Sequence, residues 1–146
     1  MKSHPNAGGL GVNWLSFGSS GHETKPEGGV LKNFTRCAEK NFSANYLIKT
    51  VCDPVKVLSL KHSVHKPEYY DGFYNLDENG EIIEHSTTRE IHFDKIRINH
   101  YFTKSKEEYI QKMTRGKADK NDIRSMEEFY LRDRNECEDT EILSHV

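Results

Sequence analysis

The sequence contains few cysteines and no long hydrophobic run. Its three cysteines, Cys37, Cys52 and Cys137, are far apart and odd in number, so they indicate neither a CxxC metal motif nor a disulfide framework. No apolar stretch approaches the length that spans a membrane, and the first residues lack the apolar core of a signal peptide. We therefore predict a reducing, cytoplasmic location and no transmembrane segment.

The chain also lacks an excess of charge of one sign. Its formal net charge is −2, which argues against a nucleic-acid partner. Its 7 Phe, 7 Tyr and single Trp are enough for a modest core, so 146 residues predict a single domain. Residues 1–11 are too rich in glycine for a regular element, and we expect a loop at a truncated start of the domain. Residues 134–146 are predicted to be an acidic tail.

Hydrophobic periodicity predicts a mixed α/β fold with about three helices. A helix is expected over 30–40, a second after Ser105 and a third over 126–133. Asn79-Gly80 indicates a hairpin between two short strands. Ser105 with Glu108 forms the sequence pattern of a capping box. Further strands are predicted over 12–17, 46–51, 55–60, 69–76, 81–84 and at the stretch that ends at residue 102.

His100 is the polar member of an otherwise apolar strand face. Ile96, Ile98 and Phe102 share that face by the two-residue period of a strand. An imidazole at the end of a strand, just before a helix start, suits a metal or an anion. The alternative is a core histidine whose nitrogens bond to neighbours, and one histidine alone does not make a metal site.

Two further segments contain residue types that bind ligands. The small residues from Gly18 to Glu23 allow close approach to a substrate hydroxyl or phosphate, although the loop fits neither a P-loop nor a nucleophile elbow, and a surface turn is equally compatible. Lys104 belongs to a basic segment that resembles a solvated helix face, but it adjoins a helix start where phosphate could sit. His62 and His65 favour solvated loop positions, since no acidic pair completes a site with them.

Several motifs together resemble bacterial glycosyltransferase family 92, in its C-terminal half. They occur in the expected order along nearly the whole chain. The first covers 13–22, with the pattern NWLxFGSSGH, and the second covers 99–108, with NHYxxKSxEE. The weaker ones are Phe34-Thr35-Arg36, Lys49-Thr50-Val51, Asp53-Pro54 and Arg115-Gly116-x-Ala118-Asp119.

The resemblance implies a partial GT-A-like, Rossmann-like α/β sandwich and a role for each motif. His100 would be a ligand of a divalent metal, Mn²⁺ or Mg²⁺, while Lys104 and Ser105 would lie near the phosphates of a nucleotide sugar. Gly18 and Ser19 would bind substrate on the acceptor side, and Trp14 would stack on a sugar, although strand spacing makes a core position equally plausible for it. The catalytic base for the acceptor hydroxyl would be His22 or Glu23.

One part of the family pattern is missing. No Asp-x-Asp motif precedes Gly8, so the half that binds the nucleotide has no counterpart here. We therefore expect a glycosyltransferase, or a fragment of one, that transfers a hexose from a nucleotide sugar to a glycan acceptor in polysaccharide biosynthesis, with a second chain as a possible source of the donor-binding half. The alternative is a non-catalytic glycan- or protein-binding module derived from such an enzyme.

Overall fold

The structure, a computed structural model, describes residues 4–116 and 123–146. Residues 1–3 of the predicted loop and Lys117, Ala118 and Asp119 of the predicted motifs lie outside these ranges. The chain divides into two compact units, each built from two stretches. The first unit comprises Met1–Trp14 and Lys40–Ile98, and the second comprises Leu15–Glu39 and Asn99–Val146. The stretches of the two units thus alternate along the sequence that is predicted to form a single domain.

Twelve helices and strands, besides three short 3₁₀ turns, are formed by the described residues. They confirm the predicted mixed α/β class and its three helices. The strands are β1 (Ala7–Phe17), β2 (Arg36–Cys37), β3 (Ile48–Cys52), β4 (Val57–Ser59), β5 (Glu68–Tyr69), β6 (Tyr74–Leu76), β7 (Ile82–Ile83), β8 (Ile98–Tyr101) and β9 (Cys137–Glu138). The helices are α1 (Val30–Asn33), α2 (Lys106–Thr114) and α3 (Met126–Arg132).

The sheet of the first unit is organised around β1. This strand pairs antiparallel with β3, from Gly9 opposite Cys52 to Asn13 opposite Ile48, and parallel with β6. The predicted hairpin is confirmed: β6 and β7 are antiparallel, and the Asp77 carboxylate in their turn accepts from the backbone N–H groups of Asn79 and Glu81. Buried apolar residues of this unit include Val12, Ile48, Leu76, Ile83 and Ile91.

The predicted loop over 1–11 is wrong from Ala7 onward, where β1 begins. The glycines are accommodated because side chains from neighbouring strands lie over them. A Cβ at Gly11 would lie 2.5 Å from a terminal methyl of Ile83, and one at Gly8 would lie 2.5 Å from the Tyr69 ring. Glycine in a strand interior commonly marks such a close approach.

The second unit contains the end of β1, the three helices and the pair β2–β9. Phe17 lies opposite Cys37, and Cys37 lies opposite Cys137. Phe17, Tyr109 and Phe129 are buried, and the Tyr109 and Phe129 ring centroids are 5.2 Å apart. The segment predicted as an acidic tail contributes β9 and a 3₁₀ turn at Glu141–His145.

The predicted helix over 30–40 is wrong after Asn33, where α1 ends. Beyond that point the backbone bonds to other segments. The Arg36 carbonyl accepts from the Gly18 N–H, the Ala38 N–H donates to Ser16, and the Thr35 carbonyl accepts from Asp139. These sheet-like bonds and the burial of Phe34 override a weak helical periodicity.

Both predicted helix starts are confirmed. Ser105 accepts from the Glu108 N–H while the Glu108 side chain bonds back to the Ser105 backbone, which is a complete capping box for α2. Ser125 caps α3 by accepting from the Glu128 N–H. The Glu128 carboxylate also accepts from the Tyr109 hydroxyl at 3.0 Å, so it ties α3 to α2.

Candidate functional site

Trp14 is the one predicted site residue that belongs to the first unit. It is 3% exposed, its ring centroid lies 5.4 Å from that of His65, and the Lys49 ammonium is 5.8 Å from the indole. Burial and the Lys49 charge lower the pKa of His65, whose Nδ1 lies 3.1 Å from the Ile48 carbonyl. These contacts favour the core interpretation of Trp14, while its predicted stacking on a sugar stays a prediction.

The loop that carries Gly18 and Ser19 is held by the segment after α3. Asp133 accepts from both the backbone N–H and the hydroxyl of Ser19, at 2.5 and 3.0 Å. Asn135 accepts from the Ser20 N–H at 2.8 Å. Gly18 is required where it stands because a Cβ there would collide with the Arg134 carbonyl. The hydrogen-bonding groups of Ser19 are therefore used to fix the loop.

His22 and Glu23, the two predicted catalytic residues, differ in their surroundings. The His22 Nε2 lies 3.0 Å from the Asn33 carbonyl, and its ring packs edge-on against Phe34. A carbonyl only accepts, so this nitrogen carries the proton and Nδ1 is the one free to take another. The Glu23 carboxylate is 76% exposed and lies 3.1 Å from the Lys106 ammonium, and this contact raises the pKa of Lys106.

The two most specific predicted motifs meet in the second unit. The backbone N–H of Lys106 donates to the His22 carbonyl at 3.1 Å, and that of Glu107 donates to the Glu23 carbonyl at 3.0 Å. The Glu107 side chain accepts from the Lys25 N–H at 2.7 Å. The structure therefore brings the loop with the predicted acid/base residues to the first turn of α2, although about eighty positions separate them in the sequence.

These bonds occupy the start of α2. The N–H groups of Lys106 and Glu107 bond to the loop carbonyls, and that of Glu108 donates to the Ser105 hydroxyl. The Ser105 hydroxyl itself donates to the Glu108 carboxylate at 2.8 Å. An anion at a helix N-terminus needs unused N–H groups. Ser105 is thus the helix cap in this structure, and its predicted place near a phosphate stays a prediction.

His100 is half-buried in β8, with its ring 5.9 Å from that of Phe102. Among the described residues, the group of metal-ligand side chains that converges is a different one. Glu78, His92 and Asp94, in the first unit, place one potential ligand atom each within 4.8 Å of the others. The described residues therefore do not complete a cation site around His100, and its role as metal ligand stays a prediction that needs ligands from elsewhere.

A cavity of about 390 Å³ lies beside β8 and α2, within the second unit. We call it the α2 pocket. Lys104 lines it, as do two further cations, Lys112 and Arg115, against the single carboxylate of Glu108. Lys104 adopts a positive φ of 53°, which is uncommon for a residue with a side chain and is found more often at functional sites. The remaining lining residues are Tyr101, Phe102, Thr103 and Gln111.

Lys112 is the residue lining the α2 pocket whose pKa is shifted furthest from its ordinary value. Its ammonium donates to the Phe102 carbonyl at 2.7 Å and lies 3.8 Å from the centre of the Phe102 ring. Burial, followed by the nearby charge of Arg124, lowers the pKa of Lys112 to about 8. Arg115 and Lys104 act in the same direction, whereas Glu128 opposes them.

Glu108 stays ionised beside these cations. Burial alone would raise its pKa, but the hydroxyl and backbone hydrogen bonds from Ser105 and the charge of Lys104 outweigh that effect and lower it. The Lys104 ammonium is 3.5 Å from the Glu108 carboxylate. The lining therefore has three basic side chains and one acidic side chain, and we expect the α2 pocket to attract anions.

Sequence reasoning identified Lys104 but missed Lys112. Lys112 belongs to a basic segment that predicted a solvated helix face, yet it turns inward. A signal was present: Lys112 lies three positions after the buried Tyr109 and therefore shares its side of the helix. A lysine on the apolar stripe of a helix, next to an aromatic residue, indicates a buried stem and a restrained ammonium.

Comparisons with known proteins assign no family to the chain. It matches no protein-family model, no curated protein and no solved structure. None of the helices formed by residues 4–116 and 123–146 combines the length and hydrophobicity needed to cross a lipid bilayer. The GT-A-like character of the fold thus stays a prediction, while its mixed α/β class is established.

Proposed function

We propose that the chain is a glycosyltransferase, or a fragment of one, that transfers a hexose from a nucleotide sugar to a glycan acceptor. The observation that carries this proposal is the contact between the two motifs. The His22 and Glu23 carbonyls accept from the first two residues of α2, which begins two positions after Lys104, and Lys104 lines a cation-rich pocket. Group transfer from a nucleotide sugar needs these two features side by side, a proton acceptor for the hydroxyl and positive charge for the diphosphate.

The residue roles follow from the contacts. His22 is the better candidate for the base, because its bond to Asn33 leaves Nδ1 to accept a proton, whereas Glu23 is paired with Lys106. Lys104 contributes positive charge at the α2 pocket. His100 would contribute one ligand to a divalent metal, with the diphosphate of the nucleotide as a further source of ligands, and a second chain is a possible source of the donor-binding half. Polysaccharide assembly from nucleotide sugars suits a cytoplasmic location, and the three cysteines form no disulfide within the part of the chain that the structure describes.

A second candidate is a non-catalytic module that binds glycans or a partner protein. The observation that favours it is the internal use of predicted substrate-binding groups. Ser19 bonds to Asp133 and Ser105 bonds to Glu108, and Gly18 closely approaches a backbone carbonyl. A non-catalytic module in which these residues only stabilise the fold would show the same contacts.

Calorimetric titration with UDP, in the presence and absence of Mn²⁺, separates the two candidates. The transferase proposal predicts manganese-dependent binding that weakens at least tenfold in His100→Ala and is unchanged in His145→Ala. His145 is exposed and serves as the matched control. Absence of nucleotide binding in a folded chain that still binds oligosaccharides or a protein partner would favour the module.

A further inference from the structure

We infer that the α2 pocket binds a diphosphate group through the Thr103 hydroxyl, the Lys112 ammonium and the Arg115 guanidinium. The inference rests on the proposed function for the identity of the ligand, and it deepens that function by placing the bound group. This site lies beside α2, whereas the sequence motifs predict the phosphates at the start of the helix.

The charge of the α2 pocket supports an anionic ligand. Lys104, Lys112 and Arg115 outnumber the single carboxylate, which is already satisfied by Ser105 and Lys104. Two more guanidinium groups lie next to the pocket: those of Arg124 and Arg132 are 5.9 and 5.7 Å from the centre of the Phe102 ring. An anion in this position would be attracted from several directions.

Thr103 is the independent observation that points to a ligand. The residue lines the α2 pocket, is 1% exposed, and its hydroxyl has no hydrogen-bond partner among the described residues. A buried hydroxyl without a partner is costly, so such groups are rare unless something else binds to them. The Nε atoms of Arg124 and Arg132 are likewise buried without a hydrogen-bond partner in the part of the chain that the structure describes. An anion rich in oxygen atoms would accept from a hydroxyl of this kind.

The contacts at the start of α2 direct the anion to the side of the helix. The N–H groups of Lys106 and Glu107 bond to the His22 and Glu23 carbonyls, and that of Glu108 bonds to Ser105. These donors are not available to a ligand while the loop is in place. Thr103, Lys112 and Arg115 line the α2 pocket instead, and about 390 Å³ leaves room for a diphosphate.

The chemistry of the donors favours phosphate oxygens over a single carboxylate. A guanidinium binds two oxygens at once, an ammonium acts as a point charge, and a hydroxyl donates one further hydrogen bond. A diphosphate presents enough oxygens to meet all three. Burial and the nearby cations lower the pKa of Lys112 to about 8 despite Glu128, so a bound anion would further stabilise its ammonium.

Calorimetry with inorganic pyrophosphate, with a chelator present to exclude metals, tests the inference on the full chain. We expect binding that is at least tenfold weaker in Lys112→Met and several-fold weaker in Thr103→Val. Lys112→Arg, which keeps the charge, should retain most of the affinity and guards against a folding defect. The matched control is Lys32→Met, an exposed lysine of the same unit outside the pocket, and it should bind as the unchanged chain does.

Either of two results with pyrophosphate would overturn the inference: no binding by the folded chain, or equal affinities in Lys112→Met, Thr103→Val and Lys32→Met. Citrate provides a test of the ligand class, since binding as tight as that of pyrophosphate would contradict a diphosphate site. Pyrophosphate binding without manganese-dependent binding of UDP would contradict the proposed function but not the inferred diphosphate site. Manganese-dependent binding of UDP without pyrophosphate binding would contradict the inferred site but not the proposed function.

Discussion

Lys112 shows how a single side chain links packing to chemistry. Its ammonium lies over the Phe102 ring, is partly removed from water and has several other cations nearby. A base whose pKa is lower in the folded chain than in the unfolded chain favours folding when it is neutral. The unfolded chain thus binds more protons between about pH 8 and the ordinary pKa of lysine, and Lys112 contributes stability that increases with pH over this window.

The direction of this pH dependence can be checked by measuring the free energy of unfolding at several pH values. The urea midpoint of the unchanged chain should gain a positive contribution between pH 8 and pH 10, and the gain should be smaller in Lys112→Met. Lys32→Met is the control, because Lys32 is exposed and should leave the pH profile as it is. Identical profiles for all three chains would contradict the buried position of the Lys112 ammonium.

Ligand binding should depend on pH in the opposite direction. Lys112 must be charged to attract an anion, so pyrophosphate affinity should fall as pH rises through about 8. The charged groups facing it are Arg124, Arg115 and Lys104, which favour its deprotonation, and Glu128, which resists it. Calorimetry at pH 6.5 and pH 9 measures the effect, with Lys112→Arg as the reference chain, because the ionisation of pyrophosphate itself changes in the same way for both chains. An equal fall in Lys112→Arg would assign it to another group.

At the level of elements, the first turn of α2 depends on Ser105. Its hydroxyl accepts from the Glu108 N–H and donates to the Glu108 carboxylate. Ser105→Ala removes both bonds and should lower the free energy of unfolding by about 1 kcal/mol. Thermal or urea denaturation measures this loss, and Ser144→Ala, at an exposed position outside the helix caps, should have a smaller effect. A loss no larger than that of the control would contradict a capping role.

The glycines of β1 provide a second test at this level. A Cβ at Gly9 would collide with the Tyr69 hydroxyl and lie within 3 Å of Asn75 and Thr50 side-chain atoms. We expect Gly9→Ala to destabilise the chain by about 1–3 kcal/mol through overpacking. Gly29→Ala is the matched control, since nothing lies within 4 Å of its added Cβ and its φ of −90° suits alanine. Equal effects of the two substitutions on the urea midpoint would exclude the close packing as the cause.

Local signals predicted some elements and not others. Ser105 with Glu108, and Asn79-Gly80, act through neighbouring backbone groups, so the sequence sufficed for a helix start and a hairpin. The strand at Ala7 and the early end of α1 depend on partners far along the chain, such as Tyr69 over Gly8 and Asp139 beside Thr35. Such partners have no local signature in one sequence.

At the scale of the whole molecule, the candidate site belongs to the second unit, and the converging Glu78, His92 and Asp94 belong to the first. Two of the motifs lie on the loop and the helix that form the candidate site. They did not predict that the helix start would be occupied by the loop itself, because those bonds form between carbonyls and N–H groups that every residue has. The α2 pocket could not be predicted either, because it depends on the contact between Lys112 and Phe102, ten positions apart in the sequence.

The most direct test of the central claim is chemical-shift mapping of the ¹⁵N-labelled full chain with UDP added. The account predicts that the largest and saturable shifts occur at the amides of Thr103, Lys104 and Arg115 and at the ammonium of Lys112. Shifts centred on residues of the first unit, or no saturable shifts at concentrations that saturate known nucleotide-binding proteins, would contradict it.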